Sequence, residues 1–223
     1  RLTAEWIAHE IDENVCKNAD WENNWKKYFK PMPVGERLLI RPIWEQEYDA
    51  GDRAVLHLEP GLAFGSGTHD TTRLCLESLE KYAHEGKSIL DVGCGSGILS
   101  IAGLLLGADS AVGVDIDALA VKTAQENGRT NGFDEPKFTV LKGSLTDKVT
   151  GKFDIIVANI VADIIIVLCR DVKKYLNDGG VFITSGIIEP REQDVLAAFA
   201  ENGIEVVERH ESGGWLCFEA RVK

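Results

Sequence analysis

A chain of 223 residues with 44% hydrophobic and 27% charged side chains has enough apolar material for a core and enough charge to stay dissolved. Its formal charge of −12 repels nucleic acid and attracts basic partners, so direct nucleic-acid binding is not expected. No apolar run approaches the roughly 20 residues that cross a bilayer, and "RLTAEWIAHEIDENV" lacks the basic, apolar, small-residue order of a signal peptide.

The sequence starts at Arg1 rather than Met, so the natural chain is expected to begin earlier. Residues 1–15 have helical spacing, and "DWENNWKKYF" gathers Trp21, Trp25, Tyr28 and Phe29 into ten residues, expected to pack against a neighbouring sheet. Pro31 and Pro33 stop any helix there. "RLLIRPIW" and "AVLHLEP" then read as strands. Next comes "EPGLAFGSGTHDTTRLCLESL", a loop in which Gly61, Gly65 and Gly67 surround Phe64, running straight into a helix. From Ser88 the rhythm changes. "SILDVG", "AVGVDID", "FTVL", "FDIIVANI" and "GGVFITSGI" read as buried strands, with helices over 97–107, 117–131, 161–176 and 190–202 between them. Alternating strands and helices predict an α/β fold, a doubly wound, Rossmann-like sheet of seven strands. The tail breaks the pattern: two strands meet across "ESGG" with no helix between, so the last strand is expected to be antiparallel. Five cysteines (Cys16, Cys75, Cys94, Cys169, Cys217) are widely spread without a C-x-x-C pair, which predicts neither disulfides nor a metal site and fits the cytoplasm.

The most informative stretch is "SILDVGCGSGILSIAG". A strand ends near Asp91, glycines stand at 93, 95 and 97, and an apolar helix follows. Glycine admits positive φ and close approach of a ligand, and such a turn lies at the carboxyl edge of a doubly wound sheet, where ligands bind. Gly93 and Gly95 are therefore cofactor candidates. The spacing is G-x-G-x-G rather than the G-x-G-x-x-G of dinucleotide sites, which weakens a nicotinamide reading. At the end of the next strand, Asp115 is placed to accept from both ribose hydroxyls, a strong charge-assisted contact that an NAD site would share. Asp117 is expected to cap the following helix. Asn159, polar among apolar neighbours at a strand tip, either caps a helix or offers a carbonyl and an amide to an incoming amine. Ile160 and Val161 follow it and offer no stacking face for a planar base. Phe64 is expected to close over the cofactor as the tip of a glycine-hinged lid, or else to plug the core beneath the loop.

Together "DVGCGSG", "GVDID" and "VANI" resemble the class I S-adenosylmethionine-dependent methyltransferases. "PGLAFGSGTHDTTRLCLESL", "KKYFKPMPVGERLLIRP" and "SGII" are similar to one family within that class, the bacterial enzymes that methylate large-subunit ribosomal protein eleven. The resemblance runs from about Trp21 to the end of the sequence. It implies S-adenosyl-L-methionine as cofactor, with contacts falling on Thr72, Gly93, Asp115 and Asn159, and a basic ribosomal protein as substrate. It implies methylation of lysine or α-amino groups, with Asn159 catalytic, and no base is obvious beyond His57 and His69, for each of which a structural role is the expectation. The family's loop commonly carries Thr and Pro where this chain has Ser66 and Asp70; an anion at a helix start is compatible with the helix dipole. On this reading residues 1–20 are the tail of a linker from a substrate-recognition domain, residues 21–60 are an N-terminal extension with helical and β parts, and residues 61–223 are the methyltransferase domain. The readings left open are a same-fold methyltransferase acting on RNA, DNA, a small molecule or another protein, a non-catalytic module that binds S-adenosylmethionine, and an NAD-dependent dehydrogenase.

Overall fold

Five parallel strands form the centre of the protein because their sequences are apolar on both faces. The computed structural model describes residues 29–45, 48–59 and 67–223, and Pro31–Lys223 forms one compact unit. Strands β4 (Ser88–Val92), β5 (Ser110–Asp115), β6 (Phe138–Lys142), β7 (Phe153–Asn159) and β8 (Leu176–Ile188) alternate with helices α2 (Ile98–Leu105), α3 (Ala118–Thr130) and α4 (Ala162–Tyr175). After a 3₁₀ turn at Glu189–Arg191, α5 (Glu192–Glu201) leads into the hairpin β9 (Ile204–Ser212) and β10 (Trp215–Val222). The seven strands lie in the order β6-β5-β4-β7-β8-β10-β9. The last strand in sequence inserts between β8 and β9 and runs antiparallel to both, as expected from the helix-free tail.

Successive strand residues feed two separate cores. Ile89, Ile155 and Val157 pack on one face with α1 (Asp70–Tyr82), α2 and α3; Leu90, Ile156 and Ala158 pack on the other with α4 and α5. This alternation is what a sheet covered on both sides requires. The two strands expected before residue 60 are present as β2 (Leu38–Pro42) and β3 (Ala54–Leu58), paired in parallel. A third, β1 (Met32–Val34), pairs antiparallel with β2. Pro31 and Pro33 had signalled only the end of a helix; Pro33, inside β1, fits because β1 is an edge strand with one neighbour. Val34, Leu38, Ile40, Leu56 and Leu58 join the first core, so this small sheet packs with α1 and α2. The helical reading of residues 1–15, the aromatics at 21, 25 and 28, and Phe64 with its loop lie outside the described residues.

Boundaries moved where local chemistry competed with periodicity. β8 begins at Leu176, directly after α4, three residues ahead of "GGVFITSGI". Pro190 draws the start of the fifth helix into a 3₁₀ turn.

Candidate active site

Chain order brings the strand tips together. The sequence runs out from β4 to β5 and β6, then crosses back to place β7 on the other side of β4. The carboxyl ends of β4 and β7 therefore flank the point where the sheet changes direction, and a crevice opens there. A cavity of about 690 Å³ occupies it. Thr72, Gly93, Gly95, Asp115 and Asn159, five of the six residues picked from the sequence, all line it.

Asp115 ends β5 with its carboxylate fixed from both sides. Oδ2 accepts from the Gly95 amide at 2.9 Å and Oδ1 from the Asp117 amide at 2.9 Å. Each oxygen keeps a second lone pair, so the group remains able to accept from a diol while its orientation is already set. Asp117 caps α3, accepting from the Leu119 amide at 2.9 Å.

The amides of the glycine turn are already engaged. Gly93 and Cys94 donate to the Val114 carbonyl, Gly95 to Asp115 and Gly97 to Cys94. The first three amides bind the turn to β5 and that of Gly97 closes the turn on itself, instead of cradling an anion. No lysine or arginine lines the cavity among the described residues. A pyrophosphate would find neither free turn amides nor a basic side chain, and this disfavours a dinucleotide.

The charge beneath the turn points the other way. Asp91, fully buried in β4, accepts from Ser100 through Oδ2, at 3.1 Å from the amide and 2.8 Å from the hydroxyl, while its Oδ1 has no partner. Burial, with a smaller contribution from the charge of Asp115, pushes the Asp91 carboxyl up to about 7. Asp91 does not line the cavity; Asp115 does, and with no basic side chain beside it among the described residues its carboxylate favours a cationic ligand. The consequence for stability has a definite sign. The folded-state value lies above the unfolded one, so Asp91 withdraws stability as pH rises from about 4 to about 7, on the order of 4 kcal/mol in full above that. Urea unfolding of the ligand-free protein at pH 5 and pH 8 is expected to show Asp91→Asn gaining stability relative to the parent at the higher pH; parallel behaviour of the two proteins would contradict this.

Asn159 ends β7, opposite Ser185 of β8. It is not a helix cap: α4 is capped by the backbone of Val161, without a side-chain bond. Instead its Nδ2 donates to Thr72 Oγ1 at 3.3 Å, joining two residues 87 positions apart. An amide whose nitrogen is held by a hydroxyl has its carbonyl oxygen fixed in direction. Gly186 stays close to this strand tip for a steric reason. It has φ +86°, and a Cβ there would strike the Ile160 carbonyl.

Neither histidine is placed as a base. His69 Nδ1 caps α1 by accepting from the Thr71 amide at 3.3 Å and sits 2.9 Å from Thr71 Oγ1. That lone pair is occupied, so the neutral ring carries its proton on Nε2. His57 is not among the cavity residues; its backbone is held by Asn131, and burial, then Arg41, lowers its pKa.

Trp215 is a cavity residue that the sequence reading missed. Its ring meets His69 edge to face, with centroids 5.0 Å apart. The signal was there: "SGGW" puts an aromatic directly after a tight turn, on a strand whose start lies opposite Ile188 at the carboxyl edge. The strand order β5-β4-β7-β8-β10 lays the tips out as Asp115, Gly93, Asn159, Gly186 and Trp215. Four strand spacings separate the ends, about 19 Å. That length holds a nucleoside at the Asp115 end and leaves room for a second reactant towards Trp215.

Comparison with known proteins decides the family. The family described as "Ribosomal protein L11 methyltransferase (PrmA)" matches residues 3–223. The chain belongs to the ribosomal protein L11 methyltransferase family. A ribosomal protein L11 methyltransferase of Clostridium botulinum (strain Alaska E43 / Type E3) is 49% identical over 213 residues, covering 96% of this chain and 67% of the relative. One from Clostridium perfringens (strain SM101 / Type A) is 49% identical over 204 residues, covering 92% and 64%. The chain thus spans about two thirds of the length of the curated relatives it matches. The crystal structure of ribosomal protein L11 methylase from Lactobacillus delbrueckii subsp. bulgaricus superposes with a TM-score of 0.82 at 35% identity, covering 87% of this chain and all of the other. The family's methyl donor is S-adenosyl-L-methionine, a cationic nucleoside. The acid at the β5 tip and, among the described residues, a cavity wall without basic side chains fit it.

Proposed function

We propose that this chain methylates amines of ribosomal protein L11, on lysine side chains or the α-amino group, in the cavity between Asp115 and Trp215. The observation that carries the reading is the Asn159–Thr72 pair: a fixed amide carbonyl at a strand tip, beside a cavity whose acid favours a cation. Thr72, Gly93, Gly95, Asp115 and Asn159 hold the donor, and Asn159 also meets the acceptor. When bound, S-adenosyl-L-methionine supplies a methyl group already activated by its sulfonium charge.

The chain's own contribution is then geometry and dryness. Asn159 Oδ1 accepts an N–H of the acceptor amine, which turns the nitrogen lone pair towards the donor. A lysine ammonium has an ordinary pKa of about 10.4 and must arrive neutral. Entering a largely apolar cavity beside a cation disfavours its charged form, so water can take the proton and no histidine is needed. Val92, Leu145, Ile160 and Ile164 supply those apolar walls. The absence of a flat ring directly after Asn159 suits an aliphatic amine, which needs no stacking. Such a substrate puts the reaction in the cytoplasm, and an acidic surface suits a basic protein.

The test is direct. Purified chain, L11 and methyl-labelled donor are incubated, and L11 peptides are read by mass spectrometry. Label on lysine or α-amino nitrogen is expected. Label confined to other residue types, or none despite bound donor, would refute the proposal.

A further inference from the structure

Asp70 opens α1 one residue after the His69 cap. It takes part in a closed ring of hydrogen bonds. Asp70 Oδ1 accepts from Ser212 Oγ at 2.9 Å and from Arg73 at 3.1 Å, while Arg73 also donates to Ser212 Oγ at 2.6 Å. A second guanidinium nitrogen of Arg73 is held by Glu77 at 3.0 Å. Ser212 ends β9, so the ring fastens the β9–β10 turn to the first turn of α1.

The turn is built for that contact. Gly213 and Gly214 have φ of +58° and +79°, the two positive values that a two-residue hairpin turn needs. Gly213 has a second reason to lack a side chain, since a Cβ there would lie 2.5 Å from Asp70 Oδ2. The next residue is Trp215, whose ring meets His69, the neighbour of Asp70. Two residues that flank the turn, Ser212 and Trp215, thus touch the adjacent pair Asp70 and His69: one contact is polar and outside the cavity, the other aromatic and in its wall. Ion pairs this exposed, with Asp70 and Arg73 side chains 41% and 37% accessible, add little to global stability. Their effect is local.

We propose that the Asp70–Arg73–Ser212 ring is a latch that positions Trp215 against His69 and thereby shapes the acceptor end of the cavity. Asp70 is a positioning residue, whose carboxylate supplies the acceptor that Ser212 and Arg73 share. This rests on reading the Trp215 end as the acceptor end, and the test separates the two ideas.

The first readout needs no turnover. In the cofactor-free protein the Trp215 indole N–H resonance, assigned by its loss in Trp215→Phe, is expected to shift or broaden in Asp70→Ala and in Ser212→Ala. It is expected to return in Asp70→Asn, which keeps an acceptor oxygen. A resonance unmoved by both alanine variants overturns the latch. The second readout is kinetic: Asp70→Ala is expected to raise KM for L11 about five- to tenfold, with kcat and donor affinity within about twofold of the parent. If the resonance shifts and KM for L11 does not, the latch stands as a structural device and its role at the acceptor end is overturned. If the parent transfers no methyl group to L11, the proposed function fails while the resonance still judges the latch.

Discussion

Replacing Asn159 with alanine is expected to lower kcat for methyl transfer about 10²- to 10³-fold, the range associated with loss of a positioned polar group at a reacting centre. Donor affinity should weaken far less, about tenfold at most, because Asp115 and the glycine turn still hold the nucleoside. The reasoning is geometric. Asn159 Nδ2 is bound to Thr72 Oγ1 at 3.3 Å, so rotation of the amide would break a hydrogen bond, and its oxygen points one way. Thr72→Val keeps the shape, removes the acceptor and frees that rotation; an intermediate loss is expected. Stopped single-turnover measurements on both variants check the order, parent above Thr72→Val above Asn159→Ala. A kcat for Asn159→Ala within threefold of the parent would remove Asn159 from the mechanism.

The second large effect concerns binding. Asp115→Ala is expected to raise the donor Kd about a hundredfold or more, since two charge-assisted contacts to the ribose go with the carboxylate. The same substitution also leaves the Gly95 and Asp117 amides without their acceptor, so the glycine turn loosens as the sugar contact is lost. Asp115→Asn retains one acceptor oxygen and should fall between the two. Calorimetry with S-adenosyl-L-methionine and, as a control, with a nicotinamide dinucleotide distinguishes the site's chemistry. The dinucleotide is expected not to bind any of the three proteins. Unchanged donor affinity in Asp115→Ala would mean that the sugar lies elsewhere.

How much of this could be read in advance depends on how local the cause was. The β/α alternation from Ser88, the reversed last strand and the tips at Gly93, Asp115 and Asn159 were legible because period, glycine spacing and a lone polar residue at the end of an apolar run are all encoded within a few positions. The hydrogen bond between Asn159 and Thr72 was not: it joins strand β7 to helix α1, and nothing in either segment names the other. Trp215 was missed for the same reason, being visible as a strand residue but not as a cavity wall until β10 is seated beside β8. The glycine turn misled in detail. Gly93 and Gly95 line the crevice, yet the turn's amides point inward because Val114 and Asp115 are there to receive them. Strand β1 escaped because Pro31 and Pro33 act as helix stops in sequence, while an edge position tolerates Pro33 in a sheet.

Ser212 and Asp70 are 142 positions apart, and Trp215 meets His69 across a similar separation. A pocket closed by so late a segment cannot exist on a partly translated chain: until β10 has left the exit tunnel, the wall opposite His69 is missing. The half of the cavity around Gly93, Asp115 and Asn159 is built from earlier strands, so a shelf for the donor forms before the wall at Trp215 closes the acceptor end.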